Sequence, residues 1–248
     1  MKDRFEIGEW ELVVKDRMVS FVGYSLLIIN PVSIGSLLDY RSAEGVARIP
    51  LKEGETTLVA SIGKASAVSR NGAWRNQRLS LDWMMKLCAF LDHGAGVTVP
   101  CARTNGRVIT HIDADMNAKN FEAWLIGSIL GGESSVKPIL EMMRTQEPYR
   151  LVRFLLSEHG GEKSIAALGE RYGLSKSHFN RLCRQVLGNG VKRELRLWRA
   201  VEAMLDVFDR RSALTAIAYE HGYSSASHFS REIKQLFGVS PRRFPCLP

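Results

Sequence analysis

The chain has 248 residues, 45% of them apolar, which is enough to bury a core and long enough for two domains. Its 34 Lys and Arg against 26 Asp and Glu leave a formal net charge of +8. Three classes are disfavoured at once: the longest apolar run, residues 21–29, is too short to span a bilayer as a helix and stops at Pro31, and the scattered cysteines Cys88, Cys101, Cys183 and Cys246 form neither a Cys-x-x-Cys pair nor a zinc-ligand spacing with histidine. The opening MKDRFEIGEW lacks the architecture of a signal peptide, so a soluble cytoplasmic chain with reduced thiols and no membrane partner is expected.

The basic excess is not spread evenly. Residues 1–146 hold 17 basic and 16 acidic residues, whereas residues 147–248 hold 17 and 10, a net of +7. That second part is suited to a polyanion, nucleic acid or an anionic surface. A solvated basic face that binds nothing would have the same charge.

In chain order, WELVV, MVSFVGYSLLII, TTLVAS and RVITHID are rich in β-branched and aromatic residues and are separated by turn residues, which predicts strands. The spacing predicts a helix after Ser80, with Ser80 as its cap, Trp83, Leu87, Phe90 and Leu91 on its apolar face, and Gly94 as its stop. Residues 68–78, VSRNGAWRNQR, are basic and turn-rich; Asn-Gly is a hairpin signal, and an exposed loop is expected. A second helix is predicted over 117–130, a flexible joint at GGESS and a short helix over KPILEMMRTQ. Trp83, Trp124 and Trp198 are expected in the core. Cys88 and Cys101 are expected to be buried small hydrophobes.

From Pro148 onward the pattern is helical. Pro148 suits a first turn, and Val152, Leu155, Leu156 and His159 share a side. The predicted architecture is thus an α+β N-terminal domain, residues 1–146, followed by an all-α C-terminal domain, residues 147–248, with two helix-turn-helix units joined by a long helix. The two units echo one another. His178 and His228, Phe179 and Phe229, Arg181 and Arg231, and Gly188 and Gly238 are each fifty residues apart. Two copies at such a period mark a duplicated supersecondary unit.

A helix-turn-helix needs a small residue where the first helix meets the second, and a glycine in the tight turn. Gly169-x-x-x-Gly173 and Ala218-x-x-x-Gly222 supply both. Ser175 and either Ser224 or Ser225 are candidate caps for the second helices. Phe179, Leu182, Cys183 and Val186 form one inner stripe; Phe229, Ile233, Leu236 and Phe237 form the other. The outer stripes, Ser177, Asn180, Arg181 and Arg184, then Ser227, Ser230, Arg231 and Lys234, carry side chains suited to base edges and phosphates. Lys176 joins the first set, and Ser225 and His228 the second. His178 and His228 are expected to be structural or to touch phosphate. The linking helix is predicted to bury Leu195, Trp198, Val201, Leu205 and Phe208, with Lys192, Arg193, Arg196 and Arg199 mostly off that stripe. Nineteen helical residues span about 28 Å, close to the roughly 34 Å between successive major-groove segments.

GLSKSHFNRLCRQVLG and IAYEHGYSSASHFSREIKQLFGVSPRRF resemble the AraC/XylS-type bacterial transcription activators over roughly residues 148–244. LGERYGLS, HFNRLCRQVLG, ELRLWR and HGYSSASHFSREIKQLFGVSPR resemble the InvF-like regulators of type III secretion genes. The resemblance implies binding to promoter double-stranded DNA, recruitment of RNA polymerase, and a type III secretion chaperone as co-activator received by residues 1–146. It places Ser177, Asn180, Arg181 and Arg184 on the first reading helix and Ser227, Arg231 and Lys234 on the second. The second helix, poor in long side chains at its start, is expected to give mainly phosphate contacts. The first part of the chain shows no match to the sugar-binding barrel of better-known members; control by a small-molecule ligand is the alternative. No catalytic residue, metal or cofactor is expected. An alkyl-transfer enzyme fused to such a module would need a cysteine zinc site near the start, and residues 1–87 contain no cysteine.

Overall fold

The computed structural model describes residues 9–98, 106–112, 115–158, 164–209 and 212–243. The chain divides into two compact units, Met1–Arg150 and Leu151–Pro248. Among the described residues no helix is long and apolar enough to cross a membrane, and no cluster of His, Cys, Asp and Glu is placed to hold a metal.

The first unit is built on two antiparallel sheets. In chain order its elements are β1 (Glu11–Val13), β2 (Met18–Phe21), β3 (Tyr24–Pro31), β4 (Leu37–Ser42), β5 (Gly45–Pro50), β6 (Thr56–Ile62), β7 (Ala65–Asn71), β8 (Trp74–Ser80), α1 (Asp82–Gly94), β9 (Arg107–Ile112), α2 (Ala118–Gly131) and α3 (Lys137–Arg144). One sheet has the order β1-β8-β3-β6-β9 and the other β2-β7-β4-β5. Val13, Leu27, Ile29, Val59 and Trp74 of the first pack with Phe21, Leu38, Tyr40, Ile49 and Ala67 of the second in one apolar cluster. The alternate residues Leu26, Ile28 and Leu58 are buried as well, so the middle strands are covered on both sides and read as continuous apolar runs.

Residues 68–78 are not a loop. They supply the end of β7 and most of β8, and these strands lie in different sheets. Asn71-Gly72 is therefore a corner between sheets, not a hairpin. Gly72 has φ +68°, and a Cβ there would lie 2.6 Å from the hydroxyls of Ser33 and Ser36. The polar residues that suggest a loop are satisfied at a distance along the chain: Asn76 donates to the Glu11 carbonyl at 3.2 Å, and Gln77 accepts from the Ala118 N–H at 2.7 Å. Trp74, not a tryptophan expected in the core, is fully buried, whereas Trp83 and Trp124 are half-buried. The hairpin β4–β5 carried no signal strong enough to be predicted.

The helix after Ser80 forms, with Leu81 rather than Ser80 at the cap position; the Ser80 hydroxyl accepts from the Asp82 N–H at 3.2 Å from one residue earlier. Its buried face is Met84, Met85, Cys88, Ala89 and Asp92, not the predicted face, and Phe90 is exposed. The helix offers two apolar stripes, and the one containing Asp92 turns inward because that carboxylate has partners. Arg144 donates to it twice, at 2.8 and 2.7 Å, and the Tyr149 hydroxyl donates at 2.7 Å. Cys88 donates at 3.6 Å, and burial, with Asp92 beside it, pushes its thiol up to about 12. Downstream, α2 starts at a reciprocal cap between Asn117 and Asn120. GGESS holds the last residue of that helix and its cap: Gly132 takes φ +68°, and beyond it Glu133 accepts from Ser128 at 2.8 Å.

The second unit takes in most of α4 (Glu147–Ser157), then α5 (Ile165–Tyr172), α6 (Lys176–Leu187), α7 (Val191–Phe208), α8 (Leu214–Glu220), α9 (Ala226–Phe237) and a 3-10 turn, Pro241–Arg243. Val152, Leu155 and Leu156 are buried; His159 lies outside the described residues. α7 is the spine, with α6 packed on it from one unit of the echo and α8 and α9 from the other. Its buried residues are Val191, Trp198, Ala200, Ala203 and Met204. Of the predicted stripe only Trp198 is buried; Val201 is 41% and Leu205 56% exposed. The second unit of the echo approaches the spine over alanines, and close helix contact selects small side chains rather than the bulkiest ones.

Burial alone would push the Asp92 carboxyl up, but the hydrogen bonds from Arg144 and Tyr149 outweigh it and hold it below the usual carboxylate range. Asp92 therefore contributes stability that is present above the unfolded-chain value of about 3.9 and is lost as pH falls through the lower folded value. Asp92→Asn is expected to cost about 3–5 kcal/mol at neutral pH and to flatten the acid limb of the stability curve. Urea denaturation of both proteins across pH checks it.

Candidate nucleic-acid interface

The first helix-turn-helix is assembled from local signals. Ser164 caps α5 by accepting from the Ala167 N–H at 3.1 Å. Gly173, at φ +83°, ends it, and the Leu174 N–H closes the turn on the Gly169 carbonyl at 2.8 Å. Gly169 is where α5 meets α6: a Cβ there would stand 3.0 Å from the Leu174 carbonyl oxygen and 3.2 Å from the Phe179 Cβ. Ser175 caps α6 through the His178 N–H at 3.4 Å. Phe179 is fully buried, 5.7 Å from the Tyr172 ring and 6.3 Å, edge-on, from Phe154. Cys183, Val186 and Leu187 complete the inner face, and burial pushes the Cys183 thiol up to about 11.

With that face turned in, Lys176, Ser177, His178, Arg181 and Arg184 are exposed and Asn180 is half-buried. Among the described residues Lys176, Arg181 and Arg184 have no ion-pair partner, so α6 presents three free cations, and Asn180, along one side.

The second unit repeats the geometry with changes. Ala218 takes the place of Gly169, fully buried, and the Tyr223 N–H closes on its carbonyl at 2.9 Å. Gly222 has φ +72°. The turn is one residue longer: Ser175 follows its glycine by two positions, and Ser225, which caps α9 through the His228 N–H at 3.1 Å, follows by three. The additional Ser224 meets His228 Nδ1 at 3.1 Å. Ser225 is half-buried with its hydroxyl engaged in the cap. Ser227, His228, Arg231 and Lys234 are exposed, and Ser230 is half-buried. Phe229 and Ile233 are buried as predicted, but Phe237, the last residue of α9, is 38% exposed.

Two features of this face were not predicted. Glu232, on the inner side of α9, is buried and paired with Arg196 and Arg199 of α7. The second is His221, whose Nε2 lies 2.7 Å from Asp206, tying the end of α8 to α7. The only sequence signal for the first was the echo itself, because the matching position, fifty residues earlier, is Leu182. The eighteen residues of α7 span about 27 Å.

Two helix-turn-helix units on a shared spine, each with a polar outer helix, define a DNA-binding regulatory domain. A helix-turn-helix domain family matches residues 168–245. Invasion protein InvF of Salmonella typhimurium is 36% identical over 168 residues, covering 66% of this chain and 78% of that protein. Transcriptional regulator MxiE of Shigella flexneri is 36% identical over 172 residues, covering 66% of this chain and 82% of its own. The solved structure of ToxT from Vibrio cholerae aligns over 97% of both chains at 12% identity, with a TM-score of 0.39. The chain belongs to the AraC/XylS-type transcriptional regulators, in the group of InvF and MxiE. It is a regulator of that type and not an enzyme.

Gly169→Ala is expected to destabilise the first helix-turn-helix by roughly 1–3 kcal/mol, because the added methyl would stand 3.0 Å from the Leu174 carbonyl oxygen and 3.2 Å from the Phe179 Cβ, and one of them must shift to admit it. The corresponding change Ala218→Gly should cost about 1 kcal/mol or less. Thermal melts of the two variants side by side measure the difference.

Proposed function

We propose that this regulator binds promoter double-stranded DNA through α6 and α9, recruits RNA polymerase in the bacterial cytoplasm and activates type III secretion genes. The observation that carries the reading is the pair of outer stripes on one spine, with the cations of α6 unpaired among the described residues. Residues 147–248 serve as the DNA-binding part. Lys176, Asn180, Arg181 and Arg184 do most of the base reading, since Arg suits guanine and Asn suits adenine. Ser227, His228, Ser230, Arg231 and Lys234 chiefly hold the phosphate backbone, which fixes register without specifying sequence. In this reading Ser225, Gly173 and Gly222 act through the frame of the two units. Residues 1–146 are the regulatory part and receive a type III secretion chaperone as co-activator. Similarity to an invasion protein and to a transcriptional regulator supports the gene class.

The two helices should respond differently to truncation. Arg181→Ala is expected to cost about 1–3 kcal/mol on the target promoter and relax one base position, whereas Lys234→Ala should weaken all duplexes alike and lower the salt slope by about one. Binding titrations on target and mutated duplexes at several salt concentrations separate the two. Equal loss on every sequence for Arg181→Ala would remove it from base reading.

The regulatory part is tested by transcription in vitro. Polymerase and this protein alone should give little product, and addition of the secretion chaperone should restore it. Full activity without the chaperone would end the co-activator reading. Restoration by the small-molecule fraction of a bacterial extract would favour ligand control instead.

A further inference from the structure

The inner face of α9 carries one acid where packing alone asks for none. Glu232 is 5% exposed. Its Oε2 accepts from Arg196 Nη2 at 3.1 Å and lies 3.9 Å from His228 Nε2. Its Oε1 accepts from the Tyr223 hydroxyl at 3.4 Å and lies 3.6 Å from Arg199 Nη2. The Arg199 guanidinium sits 4.8 Å above the Tyr223 ring. Burying a carboxylate is costly unless it is paired, and an apolar residue of similar volume often packs as well or better. The first unit has that apolar solution, a half-buried Leu182, at the matching position. The acid therefore does something that Leu182 does not.

What it does follows from its partners. Arg196 and Arg199 both belong to α7, the spine, and Arg196 is half-exposed. An unpaired arginine on a DNA-binding domain adds a phosphate contact that discriminates nothing between sequences. Pairing with Glu232 removes Arg196 from that pool. Apolar contact is non-directional, so it leaves a packed helix some freedom to rotate; a hydrogen bond from Arg196 and an ion pair with Arg199, both on the spine, bear on the two oxygens of one carboxylate and fix the rotation of α9.

We propose that Glu232 is a specificity-determining positioning residue: by engaging Arg196 and Arg199 it sets the angle at which α9 is presented and withholds Arg196 from non-specific phosphate contact. The inference rests on the DNA-binding reading above and deepens it.

The test uses the full chain as wild type, Glu232→Gln, Glu232→Leu, Arg196→Ala and the Glu232→Gln, Arg196→Ala double variant. Binding is titrated over several salt concentrations on a duplex that the wild type enriches from a random pool and on a scrambled duplex of equal composition. Glu232→Gln should bind the scrambled duplex about threefold more tightly, with a salt slope steeper by about one, and the enriched duplex on the order of tenfold more weakly. Arg196→Ala alone should change scrambled-duplex affinity by less than about twofold, and in the Gln background it should abolish the gain. Glu232→Leu, which copies the first unit and keeps the packing, should lose discrimination in the same way. Equal weakening on both duplexes, or an unchanged ratio between them, overturns the proposal. If the wild type enriches no sequence, the DNA-binding reading itself is wrong and this inference falls with it; if it does and the variants discriminate equally well, this inference alone is wrong.

Discussion

Both helix-turn-helix units depend on two helices meeting across a residue with almost no side chain. At Gly169 the Leu174 carbonyl and Phe179 leave no room for a methyl group without displacement, and at Ala218 the same turn closes with a 2.9 Å backbone bond. The spine continues the theme, offering Ala200 and Ala203 to the second unit. Once these contacts fix which side of α6 and α9 is inside, the outward residues follow without further instruction. The exposed row of Lys176, Arg181 and Arg184 is therefore a consequence of packing on the opposite side of the helix. A methyl group in the wrong place would disturb it more surely than the loss of any one cation.

Buried acids take over where apolar contact is too permissive. Asp39 lies between Arg48 at 3.1 Å and Arg70 at 2.6 Å, tying β4 to β5 and β7. Asp92 gathers Arg144 and Tyr149 and thereby joins α1 to α3 and the start of α4. Glu232 gathers Arg196 and Arg199. Asp39 and Asp92 each accept from two elements and Glu232 from the spine and the Tyr223 hydroxyl, and the directionality of those bonds defines an angle that a greasy interface does not. At the last of these sites burial, with Glu232 beside it, pushes the Tyr223 hydroxyl up to about 12.

The two units are consequently less alike than their shared words suggest. The second has a longer turn, a serine bonded to its histidine, and an acid in place of a leucine. Its outer helix begins with short side chains, and its inner face is tied to the spine by charge. The first is held by aromatic and aliphatic packing, with the α6 cations Lys176, Arg181 and Arg184 left free among the described residues. That division of construction parallels the division of labour proposed for them, one helix reading and the other holding.

Local chemistry made much of this legible in the sequence. Caps at Ser175 and at Ser224 or Ser225, glycines at Gly173 and Gly222, and the fifty-residue echo each act within a few residues of chain, so they marked the helices and both turns without a fold to refer to. Strand runs such as YSLLII were equally plain, being apolar on both faces. What the sequence left open were choices between two faces or two partners. The helix over Asp82–Gly94 has two apolar stripes, and Asp92 finding Arg144 fifty-two residues away decided between them. α7 buried alanines instead of Val201 and Leu205 because its neighbours come close. Residues 68–78 looked like a loop because Asn76 and Gln77 meet their partners only when the sheets assemble. The sequence by itself determined where the helices of the echo begin and end and which side of each is polar. Only the tertiary structure decided which buried polar groups are paired, because those partners lie far apart along the chain and a hydrogen bond exists only once both ends are in place.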